Sequence, residues 1–121
     1  MDDSQAVRER LIGIISEVEG ITVAGASGNP NEAMGAIRRL HPDAVILDIR
    51  MPGMSGIQAL REIKQEQRAP VVIMLTSYPF GQYRRECAEA GADYFLNKST
   101  EFGKINEILA GMVQADLDSE N

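Results

Sequence analysis

Asp2, Asp3, Asp48, Thr76 and Lys98 are the residues whose types and places in this chain could do chemistry together. Asp48 is the most informative. Four apolar residues, Ala44, Val45, Ile46 and Leu47, run straight into it, and a Pro/Gly loop with Pro52, Gly53 and Gly56 follows. A buried strand that ends on a carboxylate aims it into the crevice beyond the carboxyl end of a parallel sheet, where open α/β folds bind ligands. Thr76 follows the apolar run 71–75, Lys98 follows the run 92–96, and Asp2-Asp3 stand just before the first amphipathic segment. In a parallel sheet these positions share one edge. Three carboxylates gathered there repel one another and call for a hard cation with oxygen ligands, for which magnesium is suited. A carboxylate attacking a phosphoryl group needs that ion, because phosphoryl transfer depends mostly on positioning and charge stabilisation. Lys98 supplies a second positive charge to phosphoryl oxygens, and Thr76 supplies a hydroxyl donor.

The elements that must hold these residues follow from periodicity and punctuation. Ser4 caps a helix carrying Val7, Leu11, Ile14, Ile15 and Val18 at helical spacing, stopped by Gly20. Residues 21–24 read as a short strand, followed by a plain turn over 25–29. Pro30 opens a second helix, and His41-Pro42 ends it, since the residue before proline avoids the α region. Strands are predicted over 43–48, 71–75 and 92–96. Helices are predicted from Gly56, over 79–90 and over 100–113, with a frayed polar tail beyond. The alternation predicts an α/β fold, a doubly wound parallel sheet with helices on both faces. One domain is expected over residues 1–114, with a polar tail over 115–121.

Composition narrows the function. The chain has 121 residues and a formal net charge of −6, which argues against direct nucleic-acid binding. No apolar run approaches the length of a membrane span, and no leader precedes the first acids, so no membrane partner and a cytoplasmic location are expected. The one cysteine, Cys87, and the one histidine, His41, read as an apolar filler and a helix-end residue. A hydrolase built on a strand-end Asp would carry a second Asp two residues on; that position is Arg50. A flavin module would need a hydroxyl-rich phosphate loop, which is absent.

The pieces Asp2-Asp3-Ser4, Leu47-Asp48-Ile49-Arg50-Met51-Pro52 with Gly56, Leu75-Thr76-Ser77, Gly91-Ala92-Asp93 and Lys98 occur in this order. Together they make the chain resemble the flavodoxin-like receiver domain of two-component response regulators over nearly its whole length. The stretch 95–102 is similar to that of small stand-alone receivers. The resemblance implies that Asp48 accepts a phosphoryl group from a histidine kinase or phosphotransfer protein. It implies that Asp2, Asp3, Asp48 and the backbone carbonyl of Arg50 hold Mg2+, and that Thr76 and Lys98 bind the phosphoryl group. Phe95 takes the place of a rotating switch residue, and Arg50 and Tyr78 flank the route of attacking water. A downstream protein target would be contacted through the fourth and fifth helices and the strand between them. The family pattern implies a signalling domain and not an enzyme, with at most slow self-phosphorylation from small donors and slow autodephosphorylation.

One departure stands out. The family's central first strand precedes the acidic pair, and here only Met1 stands there. Four strands are therefore expected, or a sheet completed by rearrangement or by another chain, and homo-oligomers by strand exchange or edge pairing are the favoured outcome. The alternative function is a pseudo-receiver, a binding or oligomerisation module that is not efficiently phosphorylated.

Overall fold

The computed structural model describes residues 1, 2, 4–51 and 53–119. Five helices and three strands alternate as α1 (Gln5–Ser16), α2 (Pro30–Leu40), β1 (Ala44–Leu47), α3 (Gly56–Lys64), β2 (Val71–Thr76), α4 (Gly81–Glu89), β3 (Tyr94–Asn97) and α5 (Lys104–Ser119). The strands form one parallel sheet in the order β1-β2-β3, with Ala44 opposite Val71 and Ile73 opposite Tyr94.

Local chemistry explains the boundaries. The Ser4 hydroxyl accepts from the Val7 N–H at the start of α1, and Asn29 caps α2 through the Glu32 N–H, with Pro30 in its first turn. His41 closes α2 in the left-handed region at φ 48°, and Pro42 follows. The Ser55 hydroxyl caps α3. Gly56 donates to the Ile49 carbonyl at 2.6 Å, and a Cβ there would overlap the Asp48 carbonyl, so only glycine fits this turn.

β2 is buried on both faces, and its side chains divide the core into two layers. Val72 and Met74 join Val45, Leu47, Ile57, Leu60, Ile63 and Cys87 on the side of α2, α3 and α4. Ile73 and Leu75 join Leu11, Leu96, Phe102, Ile105 and Leu109 on the side of α1 and α5. Burying each such aliphatic side chain is worth about 1.5–3 kcal/mol. Asp93 ties the amino end of β2 to this frame: its carboxylate accepts from the Val72 N–H at 2.8 Å and from Lys64 Nζ at 2.7 Å.

Two expectations are corrected. Residues 21–24 form no strand, so the described sheet has three strands and not four. A strand needs a ladder partner along its length; among the described residues the nearest such bond lies beyond the segment's carboxyl end, where the Asp2 N–H donates to the Ser27 carbonyl at 3.2 Å. The dipeptide Met1-Asp2 lies between that loop and β1: Met1 N donates to the Ile46 carbonyl at 2.6 Å, and the Asp48 N–H donates to the Met1 carbonyl at 3.0 Å. These bonds repeat the pattern of a parallel ladder beside β1. The second correction concerns α5, which runs on to Ser119, so residues 114–119 are helical and not frayed. After Gly111 no glycine or proline stands in the way.

Candidate functional site

The carboxyl ends of the strands bring Asp2, Asp48 and Lys98 together. Lys98 Nζ lies 2.6 Å from Asp2 Oδ2 and 2.9 Å from Asp48 Oδ2, so one ammonium bridges two carboxylates. Asp2 and Asp48 are only 2% and 6% exposed, which makes this ion cluster largely desolvated. Burial raises Asp48 above the ordinary carboxylate range, although the Lys98 hydrogen bond pulls the other way. Burial also works to lower Lys98, but its hydrogen bonds to Asp2 and Asp48 outweigh that effect and hold it above its ordinary value. The lysine is thus a fixed cation at neutral pH.

The charges do not balance. Two buried carboxylates share one ammonium, and buried Asp48 Oδ1 has no hydrogen-bond partner among the described residues. An orphaned carboxylate oxygen costs about 1–3 kcal/mol or more. A hard divalent cation would satisfy the oxygen and the excess charge, so the donor set fits magnesium. Among the described residues no group of three His, Cys, Asp or Glu side chains converges. The further carboxylate expected here, Asp3, lies outside them, as does Pro52 of the neighbouring loop.

Thr76 ends β2 fully buried. Its hydroxyl accepts from the Tyr78 N–H at 2.9 Å, and its carbonyl accepts from the Lys98 N–H at 2.9 Å, which joins the second and third strand ends at the site. Arg50 lies over the Tyr78 ring at 4.1 Å from its centroid. Hydrogen bonding to Tyr83, a residue not anticipated from the sequence, is the main cause that holds the Arg50 guanidinium above its ordinary value. Phe95 stands apart from the ion cluster. It is half-buried against the α2–α4 core, and the Arg84 guanidinium covers its ring at 4.6 Å. Cys87 is buried, and desolvation pushes its thiol up to about 11, in keeping with an apolar filler.

Asp2 is supported by residues that sequence reasoning missed. The Ser4 N–H donates to Asp2 Oδ1 at 2.9 Å, and Arg8 Nη1 donates to the Asp2 carbonyl at 2.7 Å. The Asp-x-Ser spacing carries a signal for the first, since short acids bond to the backbone two residues on. The second is a tertiary contact with no such signature.

Residues 1–110 match the family model described as the response regulator receiver domain. The chain is a response regulator receiver domain. Receiver domains act in two-component signal transduction and interact with histidine kinases or phosphotransfer proteins. Solved structures agree. The response regulator domain of Thermotoga maritima CheB superposes with a TM-score of 0.79 at 29% identity, covering 94% of this chain and 90% of that one. A LuxR-family two-component response regulator from Aurantimonas sp. SI85-9A1 gives 0.84 at 27% identity, covering 94% and 81%.

Curated relatives of this receiver include the protein-glutamate methylesterase/protein-glutamine glutaminase of Alkalilimnicola ehrlichii, 35% identical over 99 residues, 81% of this chain and 25% of that protein. Another is the protein of that name numbered 4 from Hahella chejuensis, 36% identical over 102 residues, 84% of this chain and 26% of that protein. The chain thus spans about a quarter of the length of the curated relatives it matches. These names correct the expectation of a signalling domain and not an enzyme: the matched relatives are named as enzymes, and the match covers only about a quarter of each. An acceptor pocket describes how a phosphoryl group is received and is silent about the activity to which it is coupled. No helix among the described residues is long and apolar enough to cross a membrane.

Proposed function

We propose that Asp48 is the phosphoacceptor of this receiver. The observation that carries the reading is the state of its carboxylate: one oxygen is held by Lys98, and the other, buried beside Asp2, has no hydrogen-bond partner among the described residues. Asp2, Asp3, Asp48 and the Arg50 backbone carbonyl would hold Mg2+, which when bound neutralises charge on the transferring group. The Asp48 carboxylate attacks phosphorus in a phosphohistidine. The P–O bond to Asp48 forms as the P–N bond breaks, and the imidazole leaves with the electron pair and takes a proton from solvent. Lys98, already positioned within reach of Asp48, moves its charge onto the incoming phosphoryl oxygens. Thr76 gives up its role as acceptor for Tyr78 only through rotation, and its hydroxyl then donates to the same oxygens. Phe95 responds from beneath Arg84, and α4, β3 and α5 present the altered face to a downstream protein.

The relatives support a downstream partner of the protein-glutamate methylesterase/glutaminase kind. A cytoplasmic location goes with a kinase donor and a buried free thiol. The outer edge of β1 is bonded only near Ile46 and Asp48 among the described residues, and edge pairing between two copies would satisfy the remainder. Light scattering should then show a dimer or larger species, and a monomer at all concentrations contradicts the pairing.

Amide NMR of the full chain with beryllofluoride and Mg2+ tests the phosphoacceptor reading. Asp48 and Thr76 should respond to Mg2+ alone, and Asp48, Thr76 and Lys98 should shift further together once beryllofluoride is added, which should have no effect without Mg2+. An unchanged spectrum overturns it.

A further inference from the structure

We propose that Arg8 is the positioning residue for the acidic end of this site, seated on Gly28 so that it locks the Asp2 peptide in place for the metal. The proposal rests on the metal-assisted reading above and concerns what holds Asp2 at the site. Among the described residues, the Met1-Asp2 backbone is bonded to Ile46 and Asp48 on one side and to Ser27 on the other. The Asp2 side chain is also held by Lys98 at 2.6 Å, and the first turn of α1 adds two further bonds. The Ser4 N–H holds Asp2 Oδ1, and four residues on, where the Arg8 N–H closes the first helical bond onto the Ser4 carbonyl, the guanidinium returns to the Asp2 carbonyl at 2.7 Å. The helix therefore grips Asp2 at its side chain and at its backbone. That carbonyl belongs to the peptide unit leading to residue 3, so fixing its plane sets where the chain leaves Asp2.

Gly28 provides the second observation. A Cβ on this residue would stand 2.5 Å from Arg8 Nη1 and 3.2 Å from the Asp2 carbonyl oxygen. The guanidinium crosses directly over the glycine Cα, in space that any side chain would fill. Gly28 is required here by room and not by backbone angle. Its loop therefore serves as the floor of the arginine site, and a charge-assisted bond made on that floor is stronger and more directional than a neutral one. Groups that orient metal ligands at one remove typically change metal affinity by 10–100-fold when removed.

The test is a Mg2+ titration of the full chain, read from the Asp48 and Thr76 amide shifts, with thermal unfolding followed in parallel. Arg8→Ala should raise the Mg2+ concentration at half-change by about tenfold. Gly28→Ala, which displaces the flexible end of Arg8 and crowds the Asp2 carbonyl, should give a shift of similar size, and Arg8→Lys should recover part of the Arg8→Ala loss. The Arg8→Ala/Gly28→Ala double variant should shift no further than either single one, because both remove the same contact. Glu9→Ala, exposed on the same helix, should leave the midpoint unchanged. Midpoints within twofold of wild type in both single variants, or effects that multiply in the double variant, overturn the proposal even if melting temperatures fall. A wild-type chain with no Mg2+ response overturns the metal reading, and this proposal with it.

Discussion

Lys98 Nζ and Asp48 Oδ2, fifty residues apart in the chain, meet at 2.9 Å where β3 and β1 end. The pair is largely shielded from water, and the same ammonium also holds Asp2. Its energetics are those of a desolvated ion cluster, in which removing one partner costs more than the pair contributes.

Lys98→Met leaves two buried carboxylates facing each other. Stability in metal-free buffer should drop by about 3 kcal/mol, measured by urea unfolding. Millimolar Mg2+ should recover much of the loss, because the cation replaces the missing charge.

Asp48→Asn has the opposite sign. Burial raises the Asp48 pKa from 3.8, so the folded chain prefers the protonated acid, and ionisation destabilises it. The cost is absent below about pH 3.8, grows as pH rises through the raised folded value, and is constant above it. The amide should therefore stabilise the metal-free protein at pH 7 relative to the wild type. In thermal melts that advantage should disappear toward pH 3.5.

Gly56→Ala drives a Cβ into the Asp48 carbonyl, a backbone group that cannot move aside. The loss should reach at least about 3 kcal/mol, the upper end of overpacking costs. Urea unfolding compared with Gly53→Asn measures it, since Gly53 has open space beside it and only a φ of 81° to satisfy, which Asn tolerates.

Arg50 and Tyr78 stack over the loops that border Asp48. Arg50→Ala and Tyr78→Ala should each shorten the lifetime of the phosphorylated protein several-fold by opening a path for water. Decay followed by intact mass after donor removal measures this, and unchanged lifetimes count against a shielding role.

Asp48, Thr76 and Lys98 were legible in the sequence because each ends an apolar run, and a parallel sheet gathers such ends on one edge. Ser4, Pro30 and Gly56 were legible for a similar reason, since helix starts and tight turns are local chemistry, whereas the cap at Asn29 was read only as part of a plain turn. Residues 21–24 misled because their alternation is that of a strand, while being a strand depends on a partner elsewhere in space. α5 outran its expected end because polar residues without a breaker sustain a helix as well as a tail. The Arg8 contact with Asp2 was hidden because nothing in the spacing of the two residues requires it. The enzyme relatives were hidden too, since the residues of a phosphoacceptor pocket do not encode what it controls.

The most direct measurement is the intact mass of the full chain after incubation with acetyl phosphate, with and without Mg2+, beside Asp48→Asn. One phosphoryl group should be added, only with Mg2+ and only to the wild-type chain. Addition without Mg2+, equal addition to Asp48→Asn, or none at all contradicts the assignment of Asp48 as a magnesium-dependent acceptor.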